Sequence, residues 1–389
     1  MVSGMASSSL TARIVMLNSR LRGGGTDSQC LALTRGLLAQ GWEVETAGPD
    51  SAPLSAQAPS LRILPKFRPL QIVALAGLLR RSRARIIHAH HGDDYWPALL
   101  ASRLVRPRPL VVFSRHLAKS PRSPLSRKHL FASADAVIAV SRFVAQVLQE
   151  GHRDPASPVA ERHHRPACRL DSKKLQVIHT GIDTKRFFPR ERAYTDSARR
   201  ALGLAPGDTV FGVAGGFDLP VGKGQRIFVR AARDVVRRLP KSKFLLAGTG
   251  TLAATLEEDI RHHGLENRVV MIGHQPDAVA LHHAFDILVH PQIATEAFPS
   301  VVLEAHACGR PVIASRLDGI PEAWGIGKLG HLVPAGDPAE LAATMLGQAE
   351  LPAPMEMERA AAHARVEAEA SLEVQARRVG DLYRRLMAR

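Results

Sequence analysis

Short apolar runs alternate with amphipathic runs along the first half of the chain. The run RIVMLN leads through a glycine loop into TDSQCLALTRGLLAQG, where Cys30, Leu33 and Leu37 share one helical stripe and Gly41 is placed to stop the helix. Four short runs bounded by polar turns follow, namely WEVETAG, RIIHAH, PLVVFSRH and ADAVIAVS. Runs of this kind are typical of parallel strands that are buried on both faces.

A second series of strand-like runs begins after GLAPGDT. It comprises VFGVAGG, KFLLAGTG, RVVMIGH, DILVHP and PVIAS, and each is followed by a helical or loop segment. Two successive β-α series predict an α/β protein built from two Rossmann-like, doubly wound domains. Open α/β sheets bind ligands beyond the carboxyl ends of their strands. We therefore expect the two sheets to face each other across an inter-domain cleft, with the glycine loops along its edges.

The same pattern predicts the domain boundaries. We expect a flexible tail over 1–12, a first domain over 13–188, and a second domain over 189–365. A polar, proline-bearing stretch over 153–174 is predicted as a loop-like excursion from the first domain. The last segment, 366–389, is predicted as a helix with no strand after it, free to pack back on the first domain.

Charge is the unusual feature of the composition. The chain has 52 Lys and Arg against 36 Asp and Glu, a net charge of +16, which favours nucleic acid, anionic lipid or acidic substrates as partners. A genome that favours arginine would give the same excess. Aromatic residues make up only 5% and are not interleaved with the cations, so we expect no nucleic-acid partner.

The segment LAGLLRRSRARIIHAHH has two interpretations. Leu75, Leu78 and Leu79 precede a run of arginines, and such a helix either lies on an anionic membrane surface or packs into the core with a solvated last turn. No apolar run reaches the ~18–20 residues that span a bilayer. The N-terminal MVSGMASSSLTAR has no signal-peptide pattern, and three widely spaced cysteines suit a reducing compartment. We therefore expect a cytoplasmic protein, peripheral on the inner membrane if the first interpretation holds.

The stretch TEAFPSVVLEAHACG places two acids around an apolar helix. Pro299 suits a first helical position and Gly309 suits a residue just past a helix end, so Glu296 lies in the loop before the helix. Glu304 lies one turn after Ser300 and leans back toward the start of the helix.

The start of that helix is a candidate phosphate site. The N–H groups of Ser300 and Val301 are unpaired by the helix, and the helix dipole favours an anion there. Glu296 and Glu304 would repel phosphate, so they are better suited to accept hydrogen bonds from sugar hydroxyls, worth about 1.5–3 kcal/mol each. One acid on either side of a diphosphate suits a nucleotide-sugar. From the spacing alone, a solvated helix acid and an ordinary loop acid remain an open alternative.

A resemblance adds to this interpretation. The segment over 301–342, with its E-x7-E acid pair, the ACGRPVIAS turn, DGIPE and GHLVPAGDPAELA, closely resembles the retaining glycosyltransferases of family 4, which have the GT-B fold. Three more segments carry it: VIHTGIDTKRFFP (177–189), LRGGGTD (21–27) and LLAGTG (245–250). The resemblance covers nearly the whole chain from about residue 13.

The resemblance implies that the first domain, 13–188, binds the acceptor and that the second, 189–365, binds the nucleotide-sugar donor. It also implies roles for the second-domain residues. Glu296 would contact hydroxyls of the transferred sugar, and Glu304 would contact the ribose. The backbone amides of Ser300 and Val301 would hold phosphate. The turn at Gly273 would lie near the base.

The resemblance also implies that Lys223, in GGFDLPVGKGQ, is the cation on the diphosphate. The chain departs from the family here, because an arginine normally stands a few residues earlier and this segment has Phe217 and Asp218 instead. Either Arg226 or an arginine elsewhere replaces the missing cation, or the donor binds more weakly.

For the first domain, the resemblance implies four further residues. Gly24 and Gly25 would let the backbone approach the diphosphate closely. His116 matches the family's histidine beside the reacting sugar, where it would donate to a hydroxyl or stabilise charge. Its neighbour Arg115 would face an anionic acceptor. We expect His116 to be catalytic together with Glu296 and Lys223.

The segment HAHHGDD (88–94) allows a different interpretation. His88, Asp93 and Asp94 with two more histidines resemble the ligand clusters of metallohydrolases. The resemblance implies instead that this segment ends a strand at the cleft, with His90 and His91 near the acceptor. GT-B enzymes hold the diphosphate on helix ends and cations, so we expect neither a metal nor a cofactor.

These observations predict transfer of a hexosyl-type sugar, with retention, from a nucleotide-diphosphate sugar to a glycan or lipid-linked acceptor, as in lipopolysaccharide or other envelope polysaccharide synthesis. Neither acid has an obvious nucleophile position, so no covalent intermediate is predicted. Alternatives stay open: a non-catalytic nucleotide- or glycan-binding GT-B protein, a metal-dependent hydrolase using the 88–94 cluster, and an epimerase that shares the fold.

Overall fold

The computed structural model describes residues 12–151 and 166–389. The predicted tail therefore lies outside the described residues except for Ala12, and so does much of the predicted excursion over 153–174. In the first domain the strands are β1 (Arg13–Leu17), β2 (Glu43–Gly48), β3 (Leu61–Ile63), β4 (Ile86–Ala89), β5 (Leu110–Arg115), β6 (Ala136–Ala139) and β7 (Leu175–Val177). Its helices are α1 (Gly25–Ala39), α2 (Arg68–Arg81), α3 (Gly92–Arg103), the single turn α4 (Phe131–Ser133) and α5 (Arg142–Glu150).

The second domain repeats the alternation. Its strands are β8 (Thr209–Ala214), β9 (Ser242–Ala247), β10 (Val269–Gly273), β11 (Ile287–His290), β12 (Val312–Ser315) and β13 (Gly330–Val333). The helices are α6 (Arg192–Ala201), α7 (Gln225–Arg238), α8 (Ala253–His262), α9 (Ala278–Ala284), α10 (Ser300–Ala307), α11 (Ile320–Gly327), α12 (Pro338–Glu350), α13 (Glu356–Ala370) and α14 (Leu372–Met387).

Both sheets are parallel and share one strand order. The first runs β3-β2-β1-β4-β5-β6-β7 and the second runs β10-β9-β8-β11-β12-β13. This is the doubly wound order, in which the chain reverses direction across the sheet between β1 and β4 and again between β8 and β11. The expectation of two Rossmann-like domains is confirmed, and these reversal points fix where ligands are expected.

The central strands form because they are apolar on both faces. In β1, Ile14, Val15, Met16 and Leu17 have no exposed surface. Helices cover both sides, so the alternation of apolar and polar residues that marks a half-exposed strand is absent. The predicted stripe on α1 is confirmed, since Cys30, Leu33 and Leu37 are all buried.

The C-terminal segment differs from the prediction of one helix over 366–389. Residues up to Ala370 belong to α13, which packs on α10 and α11 of the second domain. Ser371 then starts α14, its hydroxyl accepting a hydrogen bond from the Val374 N–H at 3.3 Å. A serine is a common helix start because its side chain satisfies one of the unpaired N–H groups.

The structure places α14 against the first domain. Its Tyr383 is fully buried, and its ring meets the ring of Trp42 edge-on at 5.7 Å. The chain crosses between the domains near Ile182 and again near Ser371, and these two segments are hydrogen-bonded to each other. The Ile182 N–H donates to the Ala370 carbonyl and the Leu372 N–H donates to the Ile182 carbonyl, both at 2.9 Å. The chain thus passes between the domains twice at one place.

The core-facing interpretation of α2 is correct, and the membrane interpretation rested on the wrong residues. Leu75, Leu78 and Leu79 are buried in the first-domain core. The apolar residues that α2 and the segment before it present to solvent are instead Ile63, Phe67, Leu70 and Val73, which are 57–65% exposed. Within residues 12–151 and 166–389, no helix is long and apolar enough to cross a bilayer.

Candidate donor and acceptor sites

Glu296 lies in the loop between β11 and α10, as predicted. Its N–H donates to the Asp318 carboxylate at 3.2 Å, and its carbonyl accepts from the Gly319 N–H at 3.1 Å, which fixes the backbone of the loop. Its carboxylate accepts a hydrogen bond from Lys223 Nζ, and His290 Nε2 lies 4.0 Å away. The two side chains of the ion pair are 15% and 35% exposed, so solvent screens the pair only in part.

The ion pair decides the charge at this position. Burial alone would raise the pKa of Glu296, but the charge of Lys223 and the contact with His290 outweigh it and hold the pKa below its ordinary value. Burial lowers the pKa of His290 to about 4, so this imidazole is neutral at neutral pH. Glu296 is therefore an ionised carboxylate, which is a strong acceptor for hydroxyl groups.

A close contact between two loops brings Lys223 to Glu296. Gly224 has φ +85 and precedes α7, and a Cβ there would overlap the Pro291 carbonyl oxygen. Only glycine lets the β8–α7 loop approach the β11–α10 loop this closely. The Lys223 N–H donates to Gln225 Oε1 at 2.7 Å, which fixes the lysine's position in its loop.

Helix α10 starts where the sequence predicted a phosphate site, and phosphate binding there stays a prediction. The helix begins at Ser300, Pro299 immediately precedes it, and Gly309 follows its end with φ +70. Glu304 lies on the first turns and accepts a hydrogen bond from His282 Nε2 at 3.2 Å. His282 is buried, so it holds one carboxylate oxygen while the partly exposed Glu304 keeps its other oxygen available.

Asp218 takes a structural role at the position of the expected arginine. Its carboxylate accepts from the Thr251 N–H at 3.1 Å, and the Leu219 N–H donates to Thr251 Oγ1 at 2.9 Å. These bonds lock the β8–α7 loop to the β9–α8 loop. The structure gives no support to Arg226 as the replacement for the missing cation, because its guanidinium binds both oxygens of Asp259 on α8, at 2.6 and 3.0 Å.

Gly273 ends β10 with φ +66, and its carbonyl accepts from the Gly248 N–H at 2.8 Å. A Cβ at Gly248 would overlap the Gly215 carbonyl oxygen, so the turns that end β8, β9 and β10 are in contact. This places Gly273 at the same edge of the sheet as the loop of Lys223. Its nearness to a base stays a prediction.

The first-domain candidates converge on one cavity of about 360 Å³ at the carboxyl ends of β1, β4 and β5. This reaction cavity, as we call it, lies at the reversal point of the sheet. It brings together all six predicted first-domain residues: Gly24, Gly25, His90, His91, Arg115 and His116.

Asp27 organises the glycine loop and was missed by the sequence reasoning. Its buried carboxylate accepts hydrogen bonds from His91 Nε2 at 2.6 Å, from Asn18 Nδ2 at 3.0 Å, and from the N–H groups of Arg22 and Gly23 at 2.9 and 3.0 Å. Burial would raise the pKa of Asp27, but the bonds from His91 and Asn18 outweigh it and lower the pKa. The signal available in the sequence was an acid directly after the glycines of LRGGGTD.

Neutral histidines line the reaction cavity. His90 Nδ1 and His116 Nε2 share a hydrogen bond at 3.1 Å, and their rings stack at 5.4 Å. Burial lowers the pKa of His116 to about 3, and the neighbouring charge of Arg115 adds to the effect. At neutral pH His116 is therefore suited to hydrogen bonding, and the predicted option that it stabilises charge as a cation is not favoured.

His88 has no nitrogen left for a metal ion. Its Nδ1 is bonded to the Tyr383 hydroxyl at 2.6 Å and its Nε2 to Ser114 Oγ at 2.8 Å. No group of three or more His, Cys, Asp or Glu side chains in the described ranges could hold a metal ion. The structure gives no support to the metallohydrolase alternative.

Arg115 is part of the cavity wall. Its side chain is 5% exposed and donates to the Lys119 carbonyl oxygen. A buried guanidinium of this kind still contributes positive potential to the cavity that it lines. Arg115 therefore lies at the cavity, as predicted, but its buried side chain has little freedom to reach toward an acceptor.

Direct bonds join the loop of Glu296 to the first domain. Ser141 Oγ, at the start of α5, donates to the Ala297 carbonyl at 2.8 Å. The Glu322 carboxylate on α11 accepts from the Arg142 N–H at 2.8 Å and from His179 Nε2 at 2.7 Å. These bonds hold the loop of Glu296 against the first domain, which carries the reaction cavity.

Two family matches fall one in each domain. Residues 23–160 match the family described as Glycosyltransferase Family 4, and residues 208–349 match Glycosyl transferases group 1. The chain is also 31% identical over 310 residues to a D-inositol 3-phosphate glycosyltransferase of Mycobacterium sp. (strain KMS). That alignment covers 71% of this chain and 63% of the relative, so the chain spans less than two thirds of the relative's length.

Solved structures show the same fold. A glycosyltransferase from Rickettsia africae ESF-5 superimposes with a TM-score of 0.81 at 18% identity, covering 97% of this chain and 99% of that one. Anabaena Alr3699/HepE, solved in complex with UDP, gives a TM-score of 0.76 at 20% identity, covering 95% and 99%. With two family matches that together take up more than half of its length, this chain belongs to the group 1 glycosyltransferases of family 4 and has the GT-B fold.

Proposed function

We propose that this chain transfers a sugar from a nucleotide-diphosphate sugar to an acceptor bound on the first domain, with retention of configuration. The observation that carries the proposal is the ion pair of Lys223 and Glu296 beside the start of α10. A cation, the N–H groups of a helix start and a carboxylate lie in one small region, and these groups are suited to a diphosphate and to sugar hydroxyls.

Donor binding exchanges the partners of this ion pair. Lys223 moves from the Glu296 carboxylate to the diphosphate, and Glu296 becomes free to accept hydrogen bonds from hydroxyls of the sugar. Glu304, already oriented by His282, accepts from the ribose. Both side chains already lie next to each other at the site, so this exchange needs only short side-chain movements.

Catalysis then depends on stabilising the leaving nucleotide. Lys223 and the N–H groups at Ser300 and Val301 offset the charge that develops on the phosphate. Neutral His116 hydrogen-bonds to a sugar hydroxyl from the first domain. The acceptor hydroxyl attacks from the face of the departing phosphate, as retention requires, and closure of the cleft excludes water that would hydrolyse the donor. No metal ion or cofactor is needed in this scheme.

A thermal-shift panel with UDP, GDP, ADP and CMP tests the donor site. UDP is the first candidate, because the Anabaena neighbour was solved with it. We expect one diphosphate to stabilise the wild type, and both Lys223→Ala and Glu304→Ala to lose most of the shift. Lys241→Ala is the matched control, since this exposed lysine precedes β9 at the opposite end of the same sheet. No shift with any nucleotide in the wild type would contradict the proposal.

Asp218 keeps a non-catalytic binding protein as the second candidate. With an acid bonded to Thr251 where a cation is expected, the phosphate site relies on Lys223 alone among the two expected cations. A chain that binds the nucleotide but converts no nucleotide-sugar, in single-turnover assays with the donor of the matching base, would select this candidate.

We further propose that the acceptor is a lipid-linked or anionic glycan of envelope polysaccharide or lipopolysaccharide synthesis, reached at an anionic membrane surface. The support is an exposed apolar ridge formed by Ile63, Phe67, Leu70 and Val73, which we call the α2 ridge. Apolar residues with cations beside them are suited to the boundary between headgroups and acyl chains.

Vesicle co-sedimentation tests the membrane contact. We expect binding to vesicles containing phosphatidylglycerol at low salt, weakened about tenfold or more in a Phe67→Ser/Val73→Ser variant. Leu104→Ser, which removes an exposed leucine outside the ridge, is the control. A wild type that ignores anionic vesicles would remove this part of the proposal and leave the donor site untouched.

A further inference from the structure

A second cavity of about 510 Å³ lies beside the reaction cavity in the first domain. It is formed where β1, β2 and β3 end, by residues of the three loops that follow these strands. Since loops at the carboxyl ends of parallel strands form the ligand-binding edge of such sheets, the cavity lies where a substrate is expected.

The lining of this cavity is strongly basic. Four cations contribute to it, and none of the residues that line it is acidic; the cations are Arg20, Arg22, Lys66 and Arg68. We call it the basic cavity. Three acids lie next to this lining: the Asp93 carboxylate binds Arg20 at 2.6 Å, and the buried carboxylates of Asp27 and Asp94 accept from the N–H groups of Arg22 and Ser19 at 2.9 and 3.0 Å.

Of these acids only Asp93 forms an ion pair with a cation of the cavity. Lys66 and Arg22 have no ion-pair partner among the described residues, and the bond from Arg68 to the Asp93 carbonyl orients a guanidinium without cancelling its charge. All four cations are exposed to solvent, so the concave surface carries a positive potential that attracts an anion.

The basic cavity adjoins the reaction cavity. Arg20 and Arg22 line both cavities and lie on either side of Leu21, directly before the glycine loop. A molecule with its reacting hydroxyl near His116 therefore extends past these arginines into the basic cavity. Pro49, Pro53 and Leu64 add apolar surface for the part of the molecule between the two ends.

We propose that the basic cavity binds a phosphate group of the acceptor substrate, so that the enzyme acts on phosphorylated acceptors. Guanidinium groups present paired donors that match phosphate oxygens, and three of the four cations are arginines. This inference rests on the proposed function, since it assigns the acceptor of the same reaction.

Isothermal titration with glycerol 1-phosphate tests the site directly. The protein is first saturated with the nucleotide diphosphate found in the thermal-shift panel, so that the donor phosphate site is occupied. We expect wild-type protein to bind the phosphate ester and Arg22→Ala and Lys66→Ala each to bind it about tenfold more weakly. Arg85→Ala, an exposed arginine before β4 at the opposite end of the sheet, is expected to bind it like the wild type.

Two results would overturn the proposal. One is equal affinity for the phosphate ester in Arg22→Ala, Lys66→Ala and the wild type. The other is an equal loss in Arg85→Ala, which would show general attraction to a basic surface. Failure of the proposed function is seen separately, in a wild type that binds no nucleotide.

Vesicles distinguish the two sources of such a phosphate. If the phosphate belongs to a lipid headgroup, Arg22→Ala/Lys66→Ala will also bind phosphatidylglycerol vesicles more weakly although the α2 ridge is intact. If it belongs to a soluble acceptor, this variant will lose glycerol 1-phosphate and keep vesicle binding. Either pattern supports a phosphate site, and loss of neither ligand contradicts it.

Discussion

The two domains have the same strand order but hold charge in different ways. At the carboxyl end of the second sheet, charge is paired and largely withdrawn from solvent, as in Lys223 and Glu296. At the carboxyl end of the first sheet, His90 and His116 are buried and neutral, the buried Asp27 is bonded to His91, and cations without an ion-pair partner among the described residues, such as Lys66, are exposed. The difference indicates that one domain is organised before its ligand arrives, whereas the other supplies a surface potential to which a ligand adds the counter-charge.

The preorganised side depends on a backbone contact that one glycine permits. Gly224→Ala is expected to displace the loop of Lys223, because the new Cβ overlaps the Pro291 carbonyl and the φ of +85 disfavours alanine. We expect nucleotide affinity to fall by about a hundredfold, and the free energy of unfolding to fall by about 1–3 kcal/mol or more. Titration calorimetry with the nucleotide and denaturant unfolding measure the two effects.

Gly203→Ala is the matched control for this change. Gly203 also has a positive φ, of +68, but no atom lies within 4 Å of the position of its Cβ. It should cost about 1 kcal/mol of stability and leave nucleotide affinity unchanged. Equal affinities in the two alanine variants would mean that the loop contact does not position Lys223.

A substitution at Glu296 breaks the ion pair but keeps the lysine that is proposed to bind the nucleotide. Glu296→Gln keeps the size of the side chain but frees Lys223 from its carboxylate. We expect nucleotide-sugar turnover to drop by about a hundredfold, as for loss of one preorganised group at a reacting centre. The free nucleotide diphosphate should bind at least as tightly as to the wild type, since the cation is no longer shared. Weaker nucleotide binding, with Glu257→Gln unchanged, would contradict the assignment of Glu296 to the sugar.

Lowering the pH tests a property that the two domains share, namely their buried neutral histidines. Burial lowers the pKa values of His88 and His116 to about 3 in the first domain, and those of His290 and His306 to about 4 in the second. The unfolded chain takes up these protons near the ordinary value, so stability falls as the pH drops from about 6.5 toward 4. In this pH range, each such histidine lowers the free energy of unfolding by up to about 1.4 kcal/mol per pH unit.

Calorimetric melting between pH 7 and pH 4.5 measures this loss. Because both domains contain buried neutral histidines, we expect their transitions to shift down together. A melting temperature that is the same at both pH values would show that these imidazoles are hydrated. A shift confined to one transition would sharpen the comparison between the domains.

The central strands could be predicted because burial on both faces leaves an uninterrupted apolar run. The edge strands β3, β7 and β13 were not among the predicted strand-like runs, and the structure shows why: Leu61 and Leu175 are only half-buried, and β13 starts with a glycine. A short strand at a sheet edge has one covered side at most, so its sequence carries little pattern.

The candidate site follows the same division. Glu296 and Glu304 lie in one stretch, so their placement around a helix start could be predicted from local sequence. The pairing of Glu296 with Lys223 spans 73 residues, and that of His91 with Asp27 spans 64. Such contacts depend on which strands are neighbours in the sheet, and the sequence alone does not contain the strand order.

The smallest predicted effect concerns the support behind the neutral histidines. Tyr383→Phe removes the hydroxyl that bonds His88 Nδ1 and leaves a buried nitrogen without its partner. We expect the free energy of unfolding to fall by about 1–3 kcal/mol, while Tyr194→Phe, a partly exposed tyrosine of the second domain, should change it by less than about 0.5 kcal/mol. Denaturant unfolding measures both. Since the proposed nucleotide site lies in the other domain, Tyr383→Phe should leave nucleotide affinity unchanged. A loss of affinity in this variant would mean that α14 transmits strain between the domains.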